Sequence, residues 1–178
     1  MRENKRLRWV TETGVLLALL IVLQAATRSA GQYVTGSCVN AVLALAVLTA
    51  GLGSGVTVAV LSPFFAFLLG IGPQLLPVVP AIAAGNAVFA ALLWALAGRR
   101  GAPVWRQVLA WPVSAGGKAG VLYLLVVRLL CGVLPLAEPQ AAALTAMFSW
   151  PQLATALIGG GLALVIAPLL RRHLSKSH

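Results

Sequence analysis

The stretch 107–134 is apolar and long enough to cross a bilayer, yet it carries two cations, Lys118 and Arg128. Counting from Arg106 at about 1.5 Å per residue places Lys118 roughly 18 Å into a hydrocarbon core about 30 Å thick. A cation at that depth costs on the order of 2.5–3.5 kcal/mol, so it normally faces a cavity and marks a site. The neighbours of Lys118 are nearly all small: Ser114, Ala115, Gly116, Gly117, Ala119 and Gly120. Small residues let another helix approach or leave room for a ligand, so we expect Lys118 inside a bundle.

We expect no acidic partner for Lys118. The chain contains no aspartate, and none of Glu3, Glu12 and Glu138 is expected deep in the membrane. Two interpretations remain open: Lys118 contacts a ligand, or it donates hydrogen bonds to backbone carbonyls or water. Intramembrane charges mark functional sites by default, which favours the ligand.

Composition places the whole chain in a membrane. Its 178 residues are 60% hydrophobic with a mean hydropathy of +0.96, and so apolar a chain could not keep its surface in water. The net charge of +10 could suggest nucleic acid, but the cations lie at the ends of apolar spans. The first apolar run is expected to be the first helix and not a cleaved signal peptide. Cys38 and Cys131 are expected to be packing residues.

We predict an all-α integral membrane protein, a bundle of six transmembrane helices in one membrane domain, residues 1–178. The spans are expected at about 9–27, 39–50, 56–69, 78–97, 108–134 and 150–170. The segment between the last two, 140–148, is too short to span and is expected at the surface.

The connections between these spans carry their own signals. The polar segment 28–40 is expected to be an interfacial loop or a lid, and 51–55 a glycine-rich tight turn. Pro77 or Pro80 is expected in the first turn of the fourth helix. Ser149 and Gln152 have the spacing of a capping box at the start of the sixth helix.

Charge distribution predicts the orientation. The N-terminal flank holds four cations, the connection around residues 99–106 holds three and the C-terminal tail three, which together make ten of the thirteen. With six spans these segments share one side, and the positive-inside rule makes that side the cytoplasm. We therefore predict a multi-pass protein of the cell membrane with both termini inside.

This topology brings polar elements together on the outer side: the segment 28–40, the entry to the fourth span, the Arg128 end of the fifth span and the start of the sixth. A helix N-terminus attracts anions, and Lys118 and Arg128 add positive charge. An outward-facing pocket would suit a ligand with a carboxylate or similar anionic group. Trp150, Tyr33 and Tyr123 could supply flat surfaces for a ring, although Tyr123 points away from the face of Lys118.

The sequence does not favour an enzyme. Both histidines, His173 and His178, lie in the tail, and aspartate is absent, so the residues of the common metal, Ser–His and aspartyl sites are missing. Gly117-Lys118 lacks the glycine spacing of a phosphate-binding loop. We expect no catalytic residue, no metal and no cofactor. Uphill transport would require a partner protein.

At this point the chain resembles the substrate-binding S component of an energy-coupling factor (ECF) vitamin transporter. The resemblance covers essentially the whole chain, with Gly14 and Ala18 as a small-xxx-small motif on span one, the polar segment 32–36, the entry 77–86 and the polar Lys118. It implies a high-affinity binding subunit of an ATP-driven importer of a vitamin or precursor. The implied partners are a transmembrane coupling subunit, which docks on Gly14 and Ala18, and two ABC-type ATPases. The implied substrate-binding residues are Gln32, Tyr33, Asn40, Asn86, Lys118, Arg128, Trp150 and Gln152.

Two other functions remain open. A standalone small-molecule exporter or anion channel would use Lys118 to line an anion pathway. A structural assembly subunit would use its small-residue faces for packing and would bind no ligand.

Overall fold

The computed structural model describes residues 2–97 and 103–176, with side chains described for 6–97 and 103–170. These residues form helices and connections, without a strand. The helices are α1 (Arg2–Thr27), α2 (Gln32–Leu45), α3 (Leu52–Leu68), α4 (Val78–Ala97), α5 (Val104–Leu122), α6 (Cys131–Val133), α7 (Glu138–Met147) and α8 (Trp150–Lys176). A 3-10 turn, Arg28–Ala30, follows α1, and π-helical segments extend α2 through Ala46–Ala50 and join α5 to α6 through Tyr123–Leu130.

Six helices pack in a closed ring. Going round it, α1 packs on α3, α3 on α4, α4 on α5, α5 on α8, α8 on α2, and α2 back on α1. We call one end of the ring the basic end; there α1, α3 and α5 begin and α2, α4 and α8 end. The opposite end is called the cavity end. Arg99, Arg100 and the side chains of the basic C-terminal tail lie outside the described residues.

The prediction of an all-helical, multi-pass membrane protein is confirmed. Five stretches in the described residues are long and apolar enough to cross a bilayer: Arg6–Ala30, Gln32–Ala50, Val78–Ala97, Val104–Val133 and Glu138–Leu170. The helix Leu52–Leu68 is apolar but shorter. At about 1.5 Å per residue its 17 residues reach roughly 25 Å.

The second helix corrects the predicted loop. Residues 28–40 were expected as a loop or lid and the second span at 39–50, but α2 begins at Gln32 and the continuous helix reaches Ala50. The polar residues Ser37 and Asn40 are buried on this helix. Their polarity reflects a position inside the bundle, because a helix satisfies its own backbone and can carry polar side chains towards an interior cavity.

The turn between α2 and α3 is tighter than predicted. The expected turn 51–55 reduces to Gly51, which has φ 96° and ψ −177°, and α3 begins at the next residue. Positive φ favours glycine at this position. Gly53 and Gly55 lie on α3, where the added Cβ would meet the Trp9 indole and the Val47 side chain. They serve close helix packing.

The start of α4 agrees with the prediction and the start of α8 does not. Pro80 is the third residue of α4, so its missing N–H breaks no helical hydrogen bond. At α8 the capping box is wrong. The Ser149 hydroxyl donates to the Thr145 carbonyl, and the Gln152 side-chain amide donates to the Met147 carbonyl at 3.1 Å. Both side chains turn back to the end of α7, which has its own unpaired carbonyls.

The core fills the half of the ring nearer the basic end. Its largest buried side chains include Leu20 of α1, Leu43 of α2, Val58 of α3, and Phe89 and Leu93 of α4. A second cluster lies at the cavity end, where Leu144 of α7 and Phe148 pack against Val78, Leu122 and Val126. The segment 140–148, predicted at the surface, belongs mainly to α7, a largely exposed helix that contacts the π-helical part of the fifth span and α8.

Candidate ligand-binding site

A cavity of about 240 Å³ lies inside the ring at the cavity end. It is bounded by the last turns of α1 and α3, the first half of α2 and α4, the middle of α5, and the α7–α8 junction. Its polar lining residues are Gln24, Arg28, Gln32, Thr35, Asn40, Ser62, Asn86, Lys118 and Gln152. Its other lining residues are Gly31, Gly36, Val39, Pro63, Ala66, Phe67, Ile71, Gly72, Pro73, Val79, Ile82, Met147 and Phe148.

The cavity opens at the end of the ring. Arg28, Gly31 and Gly72 in its wall are exposed, whereas Asn40, Asn86 and Lys118 are buried. Gln32 and Asn40 stand eight residues apart on α2, so mouth and floor are separated by roughly 12 Å at about 1.5 Å per residue. The connection between α3 and α4, which includes Ile71 and Pro73, forms part of the rim.

Lys118 lies at the floor, as the prediction of an interior position requires. Its side chain is 3% exposed, and its Nζ donates to Asn40 Oδ1 at 2.5 Å. The same nitrogen lies 5.9 Å from the centroid of the Phe89 ring, a distance at which a cation–π contact contributes about 0.5–2 kcal/mol. An ammonium carries three N–H donors, so Asn40 engages one of them.

Asn40 holds Lys118 in place. Its Nδ2 donates to the Gly36 carbonyl at 2.9 Å and to Thr155 Oγ1 at 3.3 Å, which leaves its Oδ1 facing Lys118. Thr155 is on α8, and Gly36 allows that helix to approach because a Cβ there would meet the threonine side chain. Both the nitrogen and the oxygen of the Asn40 side-chain amide are hydrogen-bonded within the protein, so the role of Asn40 is to orient the Lys118 ammonium.

Three buried polar atoms in the cavity wall have no hydrogen-bond partner within the protein. They are Gln24 Oε1 on α1, Ser62 Oγ on α3 and Asn86 Oδ1 on α4. Asn86 Nδ2 donates to the Ala59 carbonyl at 3.4 Å, which turns its Oδ1 away from α3. An unpaired buried polar group costs about 1–3 kcal/mol, so these atoms indicate a place where a ligand or water completes the structure.

The lining is positively charged. Lys118 stands at the floor and Arg28 at the rim, where a Cβ on Gly70 would lie 3.8 Å from Arg28 Nη2. None of the described residues that line the cavity is acidic. Glu12 is bound to Arg8 at 2.7 Å, at the other end of α1. This charge distribution favours an anionic group over a cation.

Two of the predicted residues, Gln32 and Gln152, join three elements at the mouth. Both side-chain amides donate to the Met147 carbonyl, at 2.6 Å and 3.1 Å. Thr35 adds a bond to the Thr27 carbonyl at 2.7 Å, which attaches α2 to the end of α1. The polar mouth is therefore held by bonds between α1, α2, α7 and α8, and part of its polarity is structural.

Of the eight predicted binding residues, five line the cavity: Gln32, Asn40, Asn86, Lys118 and Gln152. Tyr33 and Trp150 do not, with 52% and 66% of their side chains exposed. Arg128 is also exposed and outside the cavity. These three residues lie on faces of α2, α8 and the π-helical segment after α5 that point away from the ring interior. The aromatic side chains of the lining are Phe67 and Phe148.

The two predicted docking residues lie on the outside of the ring. Gly14 and Ala18 are both exposed on α1, and a Cβ on Gly14 would meet nothing within 4 Å. The inner face of α1 packs through Thr13, whose hydroxyl bonds Ser54 of α3 at 2.7 Å.

Sequence reasoning missed Gln24 and Ser62. Gln24 is a polar residue within an apolar span, and this is the signal that identified Lys118. Applying the same criterion to every polar residue would have found Gln24. Ser62 carries a weaker signal, because serine in a transmembrane helix commonly bonds the carbonyl four residues earlier. Thr11 and Ser114 do use that type of bond, at 2.9 Å and 2.7 Å.

Comparisons of the chain with protein-family models, with curated proteins and with solved structures give no match.

Proposed function

We propose that the chain is a membrane substrate-binding subunit of an ATP-driven importer of a small micronutrient, of the kind represented by ECF S components. In this proposal six helices span the cell membrane with both termini in the cytoplasm, and the cavity end faces outwards. The chain captures its substrate there and depends on a coupling subunit and two ATPases for uptake.

The observation that carries the proposal is the cavity with Lys118 at its floor. A buried cation with spare donors, in a cavity lined by unpaired polar atoms and no described acid, is suited to hold a small anion. A subunit that serves only for assembly gives no reason for such a cavity. In such a subunit the buried Lys118 would only bond Asn40, and nothing would offset the free-energy cost of its burial.

A channel is less consistent with the packing beneath Lys118. On the far side of the cavity floor the ring is filled by buried apolar side chains, among them Leu43, Phe89 and Leu93, which are at most 1% exposed. A conducting pathway requires a continuous polar or wettable lining. A cavity closed at one end supports binding followed by a movement of the whole subunit.

The exposed face of α1 supports the requirement for a partner. Gly14 and Ala18 present a flat surface of small residues, on which another transmembrane helix can approach closely. The described chain contains no phosphate-binding loop, so energy for uphill uptake would come from the proteins bound to this face.

Reconstitution in liposomes tests the proposal against the channel. With the purified chain alone, chloride efflux is expected to equal that of protein-free liposomes. Addition of the coupling subunit and ATPases is expected to give ATP-dependent uptake of a small molecule that the chain retains. Chloride efflux above the protein-free level, abolished by Lys118→Met, would contradict the proposal and favour the channel.

A further inference from the structure

We propose that the cavity takes a small molecule with an anionic group at one end, bound by Lys118, and N–H or O–H donors along its remainder, received by Gln24, Ser62 and Asn86. The inference rests on the proposed function and specifies the chemistry of the substrate. It comprises three statements: the ligand has two chemically different ends, it crosses the ring from α5 towards α1, and the part inside the cavity is about the size of a one-ring molecule.

The anionic end of the ligand is assigned from the N–H groups of Lys118 that Asn40 does not use. Its ammonium gives one N–H to Asn40 Oδ1 and retains two, while its side chain is 3% exposed. Asn40 is neutral, so the positive charge has no ionic partner among the described lining residues. A carboxylate accepts charge-assisted hydrogen bonds of this kind, and these are about twice as strong as neutral ones.

The donor-bearing end of the ligand is assigned from buried oxygen atoms of the cavity wall that need a hydrogen-bond donor, which an anionic group does not supply. Gln24, Ser62 and Asn86 are each more than nine-tenths buried, and each keeps one oxygen without a partner. Amide oxygens only accept hydrogen bonds, and a deprotonated acid has no proton to give. A ligand with an anionic group alone would give no hydrogen bond to Gln24 Oε1 or Asn86 Oδ1.

These unpaired atoms are concentrated in the cavity. The described residues contain five buried side-chain polar atoms without a partner, and three of them line this one space. The other two, Ser37 Oγ and Trp111 Nε1, belong to residues outside the lining. Ser37 therefore provides a matched control, since it is also a buried serine with an unpaired hydroxyl.

The order of the ring gives the direction of the ligand. In the ring, α1 stands opposite α5, with α3 and α4 along one side. Lys118 is on α5 and Gln24 on α1, while Ser62 and Asn86 belong to the helices between them. A ligand whose anionic group meets Lys118 therefore extends across the ring, with its donors facing α3, α4 and α1.

The volume limits the size. The cavity of about 240 Å³ lies just below the range of about 300–1,000 Å³ that is typical of small-molecule pockets. A molecule with one ring and short substituents, or a short chain, fits inside this space. Phe67 and Phe148 in the wall provide apolar surface for such a ring.

The experiment uses matched one-ring probes and measures dissociation constants for the full chain in detergent. The first set is 4-aminobenzoate, with an anion and a donor, benzoate, with the anion alone, and aniline, with the donor alone. 4-Aminobenzoate is expected to bind about tenfold tighter than benzoate, with aniline the weakest. Ser62→Ala and Gln24→Met are each expected to weaken 4-aminobenzoate by about three- to tenfold and to leave benzoate unchanged.

Stability of the dialysed chain separates a binding role from a structural one. Ser62→Ala and the control Ser37→Ala both remove an unpaired buried hydroxyl, so both are expected to raise the apparent Tm. Ser37→Ala is expected to leave binding of all three probes unchanged. A fall in Tm for Ser62→Ala, or equal loss of binding in the two variants, would contradict the assignment.

The inference and the proposed function can fail separately. Equal binding of benzoate and 4-aminobenzoate would overturn the inference and leave the proposed function standing. The same follows if the purified chain retains a small molecule that lacks either the anion or the donors. If none of the probes binds and the chain retains no small molecule, both are overturned.

Discussion

The two halves of the ring are built from the same helices but differ in how they treat polar groups. In the half near the basic end, Thr13 bonds Ser54 and Ser114 bonds the Ala110 carbonyl, whereas the buried Trp111 Nε1 has no partner and lies outside the cavity. The remaining interior is filled by buried apolar side chains such as Leu43. In the half at the cavity end, Gln24, Ser62 and Asn86 keep unpaired oxygens around an open space.

This difference shows which half serves stability and which serves binding. A packed interior with satisfied polar groups is the ordinary result of folding. A cavity bordered by unpaired buried atoms and a cation is less stable than the packing it replaces, so it is retained for a function. The four predictions below test this division, beginning with the largest expected effect.

Lys118→Met is expected to weaken ligand binding by at least about thirtyfold, because losing one partner of a buried charged contact costs on the order of 2–5 kcal/mol. Membrane insertion should persist, since methionine is apolar and of similar length. The measurement is the amount of small molecule retained per chain after purification. Ser114→Ala, one turn earlier on α5, is the control and should retain the wild-type amount. Full retention in Lys118→Met would contradict the binding role of the cavity end.

Gly14→Leu, and separately Ala18→Leu, is expected to prevent assembly with the coupling subunit while ligand binding stays intact. Both residues lie on the outer face of α1, where a larger side chain keeps a partner helix at a distance. The measurement is co-purification of the purified coupling subunit with the tagged chain. Val15→Leu, on an adjacent exposed face, is the control. Normal co-purification with both variants would show that docking uses another surface.

Gly159→Ala is expected to destabilise the chain by about 1–3 kcal/mol, because the added methyl group overpacks a tight helix contact. A Cβ there would meet backbone atoms of α2, including the Ala41 nitrogen at 2.7 Å. Thermal unfolding in detergent provides the measurement. Gly116→Ala is the control, since its Cβ meets nothing within 4 Å. Equal Tm values for the two variants would mean that the contact between α8 and α2 is looser than described.

Gln32→Leu is expected to have the smallest effect, about a threefold faster release of ligand. It removes the bond from Gln32 Nε2 to the Met147 carbonyl, and a hydrogen bond of this type contributes about 0.5–1.5 kcal/mol. Release is followed by dilution and mass spectrometry at successive times. Tyr33→Phe is the control, because Tyr33 lies outside the cavity. A larger effect of Tyr33→Phe than of Gln32→Leu on the release rate would contradict the placement of Gln32, and not Tyr33, at the cavity mouth.

The helical membrane architecture could be predicted from the sequence, because it follows from properties of single segments and residues. Apolar length predicts helices, and the depth of Lys118 in an apolar run predicts its position inside the bundle. Pro80 in the first turn of α4 follows from the loss of one N–H. None of these depends on which helix lies next to which.

The wrong predictions concern features that depend on contacts between helices. The polar residues of α2 were interpreted as a loop, because their burial against α8 and the cavity is a property of the ring. Ser149 was assigned as a helix cap, but the end of α7 offered its hydroxyl a carbonyl. Tyr33 and Trp150 were predicted to line the site although their faces point outwards. The last error depended on helix rotation, which spans that are apolar on all sides leave undetermined.

Native mass spectrometry of the full chain, released from mild detergent, tests the central claim most directly. The account predicts one small molecule bound per chain, and the released molecule should be a one-ring-sized or short-chain anion with hydrogen-bond donors. The same measurement on Lys118→Met should show the bare chain. A wild-type chain that carries no small molecule, and that gains none from the probes, would contradict the assignment of the cavity as a binding site.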